Sequence, residues 1–107
     1  MPLSKTRSSF YRRLYVAHLV DTGIASVPAI MEATGMPRRT AQDTLGALSE
    51  LDIVCEFEHD QGERHNIGRY VIRDWGPFDP AWVAAHARRL GAELGYPPGR
   101  HLTASDR

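Results

Sequence analysis

The sequence predicts a mainly α-helical α+β domain, in which a three-helix core is followed by a β-hairpin and an additional C-terminal helix. Three observations support this fold class. Apolar residues recur at helical spacing in three successive segments before residue 52. The period then changes to the alternation typical of β-strands. Finally, the pair Asp79-Pro80 marks the start of a last helix.

Composition limits the chain to one small domain. It has 107 residues, 13 basic and 13 acidic side chains, and 42% hydrophobic residues, which suits a single modest core. Zero net charge argues against a polycation that coats nucleic acid by charge alone. Cys55 is the one cysteine, so an internal disulfide is excluded. No apolar run approaches the roughly 20 residues that span a bilayer, and we expect a cytoplasmic protein with no membrane partner.

The first helix is expected to follow a flexible basic arm, residues 1–8. Ser8 or Ser9 is a suitable N-cap, and Gly23 ends the helix after about Thr22. One face of this helix is apolar and predicted to meet the core, through Phe10, Leu14 and Ala17. The other side is apolar as well, through Tyr15, Val16 and Leu19. A helix that is apolar nearly all round is buried on both sides, which predicts contact with a second subunit.

The next two helices are separated by a glycine turn. Ser26 is the expected N-cap of a helix from Val27 to about Thr34, and Gly35 breaks the chain after it. A third helix is predicted over residues 37–51. Its inward face is formed by Ala41, Leu45 and Leu48.

The alternation after residue 52 predicts a hairpin with a long polar tip. Its strands lie near residues 53–58 and 69–73, and the tip contains residues 59–66. A C-terminal helix, residues 79–95 with its caps, closes a domain of residues 9–95, and residues 96–107 are predicted to be disordered. On that helix a 4, 3, 4 spacing suits packing on another helix, and we expect it to complete a homodimer interface through Val83, Ala87, Leu90 and Leu94.

This order of elements resembles the winged helix-turn-helix family over roughly residues 9–75. The strongest part is residues 29–54, AIMEATGMPRRTAQDTLGALSELDIV. The resemblance implies that Gly35 forms the turn and that helix 37–51 is the recognition helix. The chain is also similar to small stand-alone bacterial winged-helix proteins of uncharacterised role. Two residues depart from the pattern, because Met31 replaces a preferred Ala and Asp43 replaces a commonly basic residue.

The predicted recognition helix carries the side chains expected to contact double-stranded DNA. A helix fits the major groove, and residues near its N-terminus reach base edges. Arg39 suits guanine, Gln42 suits adenine and Asp43 suits cytosine N4, each through hydrogen bonds to the base edge. Thr40 suits phosphate, and Arg38 flanks this face. The bland alternative is that these side chains are simply solvated.

The hairpin tip contributes the other expected DNA contacts. Arg64 is the best candidate for a phosphate or minor-groove contact, with His65 and Asn66 beside it. Charge is unevenly distributed around this tip. Residues 1–49 hold six basic and three acidic side chains, residues 50–63 hold six acidic ones, and residues 64–73 hold three arginines. The acidic strand is expected to pair with Arg69 and Arg73 across the hairpin, or alternatively to dock a basic partner.

Other constellations give weaker hypotheses. A divalent metal site between His59 and His65, with Asp60 and Glu63, is conceivable, but the spacing does not support it. An effector site using Tyr11, Tyr15, Trp75 or Trp82 and a redox role for Cys55 are further alternatives. No catalytic motif is present, so we expect no enzyme, no metal and no cofactor. The sequence thus favours a bacterial transcriptional regulator that binds specific DNA as a homodimer, and the alternative is a winged-helix protein-interaction module.

Overall fold

The computed structural model describes residues 3–59 and 68–98. It contains four α-helices and one antiparallel hairpin, which confirms the predicted fold class. The helices are α1 (Lys5–Asp21), α2 (Val27–Thr34), α3 (Arg38–Ala47) and α4 (Pro80–Leu94), and the strands are β1 (Val54–His59) and β2 (Gly68–Asp74). A short 3₁₀ helix (Leu48–Leu51) joins α3 to the hairpin.

The first helix begins earlier than expected. The Ser4 hydroxyl accepts a hydrogen bond from the backbone N–H of Arg7 at 3.1 Å, so Ser4 is the N-cap. Ser8 and Ser9 lie inside the helix, and the second half of the predicted flexible arm, residues 5–8, is helical. Any of the three serines can cap a helix. Residues 5–7 are also compatible with a helix, so α1 begins directly after Ser4, the first of the three serines.

The turn between α2 and α3 has the predicted construction. The hydroxyl of Ser26 accepts from the N–H of Ala29 at 3.1 Å, which caps α2. Gly35 takes a left-handed conformation with φ of 81°. Glycine adopts this conformation at little steric cost, because it has no Cβ atom. The Thr34 hydroxyl donates to the carbonyl of Ile30 and accepts from the N–H of Met36. These contacts satisfy the turn's polar groups and set the direction in which α3 leaves it.

The third helix is shorter than predicted. It ends at Ala47 and tightens into the 3₁₀ helix, which stops at Asp52, where φ is 64°. The predicted inward residues are buried as expected, since Ala41, Leu45 and Leu48 are at most 7% exposed. This change of pitch turns the chain from α3 into β1 within a few residues.

The two strands pair antiparallel, with Cys55 opposite Ile72 and Phe57 opposite Tyr70. The hairpin is tied to the helical core by a backbone hydrogen bond, in which the N–H of Tyr70 donates to the carbonyl of Ala25 at 2.8 Å. A backbone bond of this kind fixes where the hairpin base lies relative to the α1–α2 connection. The orientation of the hairpin therefore follows from the core.

Packing of α4 on α1 corrects the predicted dimer interface. The apolar residues assigned to a second subunit are buried inside one chain, where at most 1% of each is exposed: Tyr15, Val16, Leu19, Val83, Ala87 and Leu90. Leu94 is half-buried against the same core. A residue without accessible surface in one chain has none to offer a second copy. These residues are therefore covered by other parts of the same chain.

The α1–α4 contact is close because of one glycine. A Cβ atom on Gly91 would lie 2.9 Å from Cε1 of Tyr15. The Tyr15 ring also packs against Tyr96, with 5.6 Å between centroids, and the Arg12 Nε–H donates to the Tyr96 hydroxyl at 3.3 Å. Tyr96, the first residue of the tail predicted to be disordered (residues 96–107), thus packs against α1, while residues 99–107 lie outside the described part of the chain.

Within residues 3–59 and 68–98, no helix has the length and apolar character needed to cross a membrane.

Candidate nucleic-acid interface

The outward face of α3 is polar and open to solvent. Arg38, Arg39, Gln42 and Asp43 are all exposed, and Thr40 is half-buried. Because the opposite face of the same helix is buried in the core, Arg38, Arg39 and Gln42 point away from the domain, while Thr40 and Asp43 lie on the side of α3 towards α1. The structure therefore brings together the five recognition-helix residues that the sequence predicted.

The start of α3 leaves backbone donors open. Pro37 is the N-cap residue, and no side chain caps this end of the helix. The first N–H groups of a helix have no acceptor within it, and together with the helix dipole they favour an anion. Arg38 and Arg39 add formal positive charge at the same end. Phosphate oxygens match both features.

Arg39 and Asp43 form a weak pair along the exposed face. Their nearest side-chain atoms, Nε and Oδ2, are 3.9 Å apart, and the side chains are 89% and 74% exposed. An exposed pair at this separation holds its partners loosely, because water competes for both charges. Either side chain is thus free to exchange its partner for a polar group of a ligand.

A cleft beside this face was missed by the sequence reasoning. It lies between the N-terminal half of α1 and α3, has a volume of about 260 Å³, and is lined by Ser9, Arg12, Arg13, Thr40, Asp43, Thr44 and Ala47. We call it the α1–α3 cleft. The neighbouring arginines at positions 12 and 13 were the available signal in the sequence. Helical periodicity shows that they share a region of α1, but it does not show that this region faces α3.

The hairpin carries internal ion pairs that confirm the predicted cross-strand pairing. Arg73 contacts Glu58 at 2.7 Å and Glu56 at 3.3 Å, and Arg69 contacts Glu58 at 3.4 Å. Hydrogen bonding and charge from Arg73 lower the pKa of Glu58, and both glutamates raise the pKa of Arg73. The acidic side chains of β1 are therefore balanced within the hairpin. This favours the pairing interpretation over a docking site for a basic partner.

The predicted contacts at the hairpin tip, Arg64 and His65, lie outside the described residues. So do Asp60 and Glu63, on which the metal hypothesis also depended. Within the described ranges, His, Cys, Asp and Glu side chains form no group of three suited to a metal ion.

Cys55 has the surroundings of a structural thiol. It is half-buried and packs against the core from β1. Burial, with a smaller effect from Glu56, raises the pKa of its thiol. Reactive cysteines have lowered thiol pKa values, because the thiolate is the nucleophile. The redox hypothesis therefore gains no support from the site.

The aromatic residues considered for an effector site do not form one cluster. Tyr15 is fully buried in the α1–α4 contact, and no surface of it remains for a ligand. Trp82 is exposed and stacks on His86 with 4.1 Å between ring centroids. A groove of about 320 Å³ next to it is lined by Phe10, Leu14, Pro77, Phe78, Asp79, Trp82 and Val83.

Comparison with known proteins agrees with this architecture. A crystal structure of a DUF2131 family protein from Shewanella amazonensis SB2B is similar to the chain, with a TM-score of 0.82, 39% sequence identity and 95% of each chain covered. No curated protein matches the chain. A family model described as a winged helix-turn helix matches residues 5–94, which is nearly the whole described structure. The chain therefore belongs to the winged helix-turn-helix family.

Proposed function

We propose that the protein binds double-stranded DNA of specific sequence, with α3 in the major groove, as a bacterial transcriptional regulator. One observation carries the proposal: the exposed N-terminal half of α3 presents two adjacent cations and one amide side chain on the face turned away from the core. A helix with this face exposed fits the major groove of B-DNA, where its first residues reach the bases.

Each side chain on this face has a distinct role. Arg39 pairs with the O6 and N7 atoms of guanine, and Gln42 pairs with N6 and N7 of adenine. A good bidentate pair discriminates against the wrong base by roughly 1–3 kcal/mol. Asp43 accepts from cytosine N4. Arg38 and Thr40, with the first backbone N–H groups of α3, contact phosphate and so set the position of the helix.

The hairpin acts as a second contact. Arg64 and His65 at its tip are proposed to contact phosphate or the minor groove. Support comes from the stem, because the bond between Tyr70 and Ala25 fixes the hairpin base to the core.

A homodimer remains part of the proposal, although the α1–α4 residues first assigned to it are covered within one chain. Two copies would place their α3 helices about one DNA turn apart on a pseudo-palindromic site. Size-exclusion chromatography with light scattering, performed with and without the DNA site, tests the dimer separately from DNA binding.

Selection from random duplex DNA tests the function. We expect enrichment of a short motif, and Arg39→Ala should weaken the preference at one base pair of that motif by roughly 1–3 kcal/mol. If repeated rounds enrich no sequence, or if Arg39→Ala keeps the full preference, the assignment of α3 as the reading helix is wrong.

The alternative is a protein-interaction module on the same fold, since fold alone does not decide function. The observation in its favour is the set of large apolar side chains exposed on the described surface, each about 40% accessible: Val54, Phe57 and Trp82. Failure of the DNA selection together with a purified protein partner that binds through these residues would support it.

A further inference from the structure

We infer that the α1–α3 cleft binds one phosphate of the DNA backbone and so fixes the depth and angle at which α3 enters the groove. The inference rests on the proposed DNA-binding function. It adds a contact made by α1, through Arg12 and Arg13, to those assigned to α3 and the hairpin tip.

The cleft has the size and lining for an anion. Its volume is about 260 Å³, and one water takes about 30 Å³ of liquid, so a phosphate group fits together with several waters. Basic and hydroxyl-bearing residues line it from two helices, namely Arg12, Arg13, Ser9 and Thr40. A fork of guanidinium N–H donors matches the geometry of phosphate oxygens.

The two arginines differ in how they are held. The Arg12 guanidinium donates through Nε to the Tyr96 hydroxyl at 3.3 Å and lies 3.5 Å from the hydroxyl of Ser8 through Nη2. These contacts hold its position and leave further N–H donors available, since arginine has five. Arg13 forms no ion pair with any residue that the structure describes. The Arg12 guanidinium is thus held towards Tyr96, and Arg13 is the cation of the cleft that is ready to take a new partner.

The charge of α1 is not explained by helix stability. Its N-terminal half carries Lys5, Arg7, Arg12 and Arg13 and no acidic residue. Cations near a helix N-terminus oppose the helix dipole. Contact with an external anion would explain why the cations are placed in this otherwise unfavourable arrangement.

Asp43 is the acidic residue of the cleft lining, and its carboxylate is paired with Arg39. When Arg39 turns towards a base, that carboxylate loses its partner close to the DNA backbone. The cations of α1 lie on the other wall of the same cleft. They offset the repulsion between the Asp43 carboxylate and phosphate, and α3 alone does not provide this compensation.

Arg13→Gln tests the inference in the full-length protein, with the selected duplex as the probe. A single phosphate contact contributes about 0.9 to the slope of log affinity against log salt, which corresponds to about an eightfold loss of affinity at 0.1 M salt. We expect that loss, a salt slope smaller by about 1, and an unchanged order of preference among DNA sequences. Arg13→Lys should recover most of the slope, and Arg89→Gln on the outer face of α4 should leave it as in wild type.

Neutral methylphosphonate substitutions in the duplex locate the contact. Replacing one particular phosphate should weaken DNA binding by the wild-type protein and leave DNA binding by Arg13→Gln unchanged. A purely structural role of Arg13 would not produce this difference. The inference is wrong if wild type enriches a DNA motif and Arg13→Gln binds it with the wild-type slope. If wild type enriches no motif, the proposed function fails first and the inference fails with it.

Discussion

Two glycines inside helices should respond to alanine in opposite directions. Gly46 lies in α3 with nothing within 4 Å of an added Cβ. In an exposed helix interior, alanine is more favourable than glycine by about 0.5–1 kcal/mol, because the unfolded chain has less freedom to lose. For a domain of this size, that gain raises the melting temperature by roughly 2–6 °C.

At Gly91 the same substitution meets a packed ring. An added Cβ would lie 2.9 Å from Cε1 and 3.0 Å from Cζ of Tyr15. That ring is fully buried and rests on Tyr96, so it has little room to shift. Overpacking of a core typically costs about 1–3 kcal/mol, which exceeds the helix gain of about 0.5–1 kcal/mol. Gly91→Ala should therefore lower the stability by about 1 kcal/mol.

Thermal and urea unfolding of both variants, followed by circular dichroism, measure the two changes. Each variant is the other's control, because the chemical change is identical and only the surroundings differ. A Gly91→Ala protein that is as stable as Gly46→Ala would refute the close α1–α4 contact. Gly46→Ala should also weaken binding to the selected duplex, since it narrows the approach of DNA to the outer face of α3.

Three further predictions follow from charges. Arg38→Ala should weaken DNA binding about equally across sequences and reduce the slope of log affinity against log salt by about 1. Binding assays at several salt concentrations measure both effects, and a loss of base preference would contradict the assignment of Arg38 to phosphate. Asp43→Asn should raise the affinity for non-specific duplex, because it removes a carboxylate from the vicinity of the DNA phosphates. Fluorescence anisotropy with scrambled DNA measures this affinity, and a decrease would contradict the prediction. The pKa of Glu58 is lowered by Arg73, so its contribution to stability is present above the ordinary value of 4.5 and lost as pH falls through the lower folded value. The difference in urea midpoint between wild type and Glu58→Gln should accordingly shrink from pH 7 to pH 3, and an unchanged difference would show that the pair with Arg73 does not stabilise the hairpin.

Local chemistry made several elements predictable. The start of α2 at Ser26 and of α4 at Asp79 followed from caps with a proline in the first turn, where the signals are short-range. The two strands of the hairpin followed from alternation, and its charge pairing followed from arginines facing an acidic strand. The start of α1 was missed because Ser4 and Ser8 are equally good caps by sequence alone.

The recognition-helix face was predictable for a related reason. Helical periodicity places Ala41 and Leu45 on one side and Arg39 and Gln42 away from it. Once the first pair is buried, the second pair must be exposed. The α1–α3 cleft was not predictable in this way, because it needs the separation and rotation of two helices that are far apart in the chain.

By itself, the sequence determined the order of helices and strands, the glycine turn before α3 and the side chains that α3 presents. These features depend on local backbone preferences and on the spacing of apolar residues, and both are determined by residues close together in the chain. Only the tertiary structure decided what covers the second apolar face of α1. Apolar burial is non-directional, so the pattern at Tyr15 and Leu19 is the same whether the cover is another subunit or other elements of the same chain. The fold buries both residues within one chain, and Gly91 of α4 allows the close approach to Tyr15.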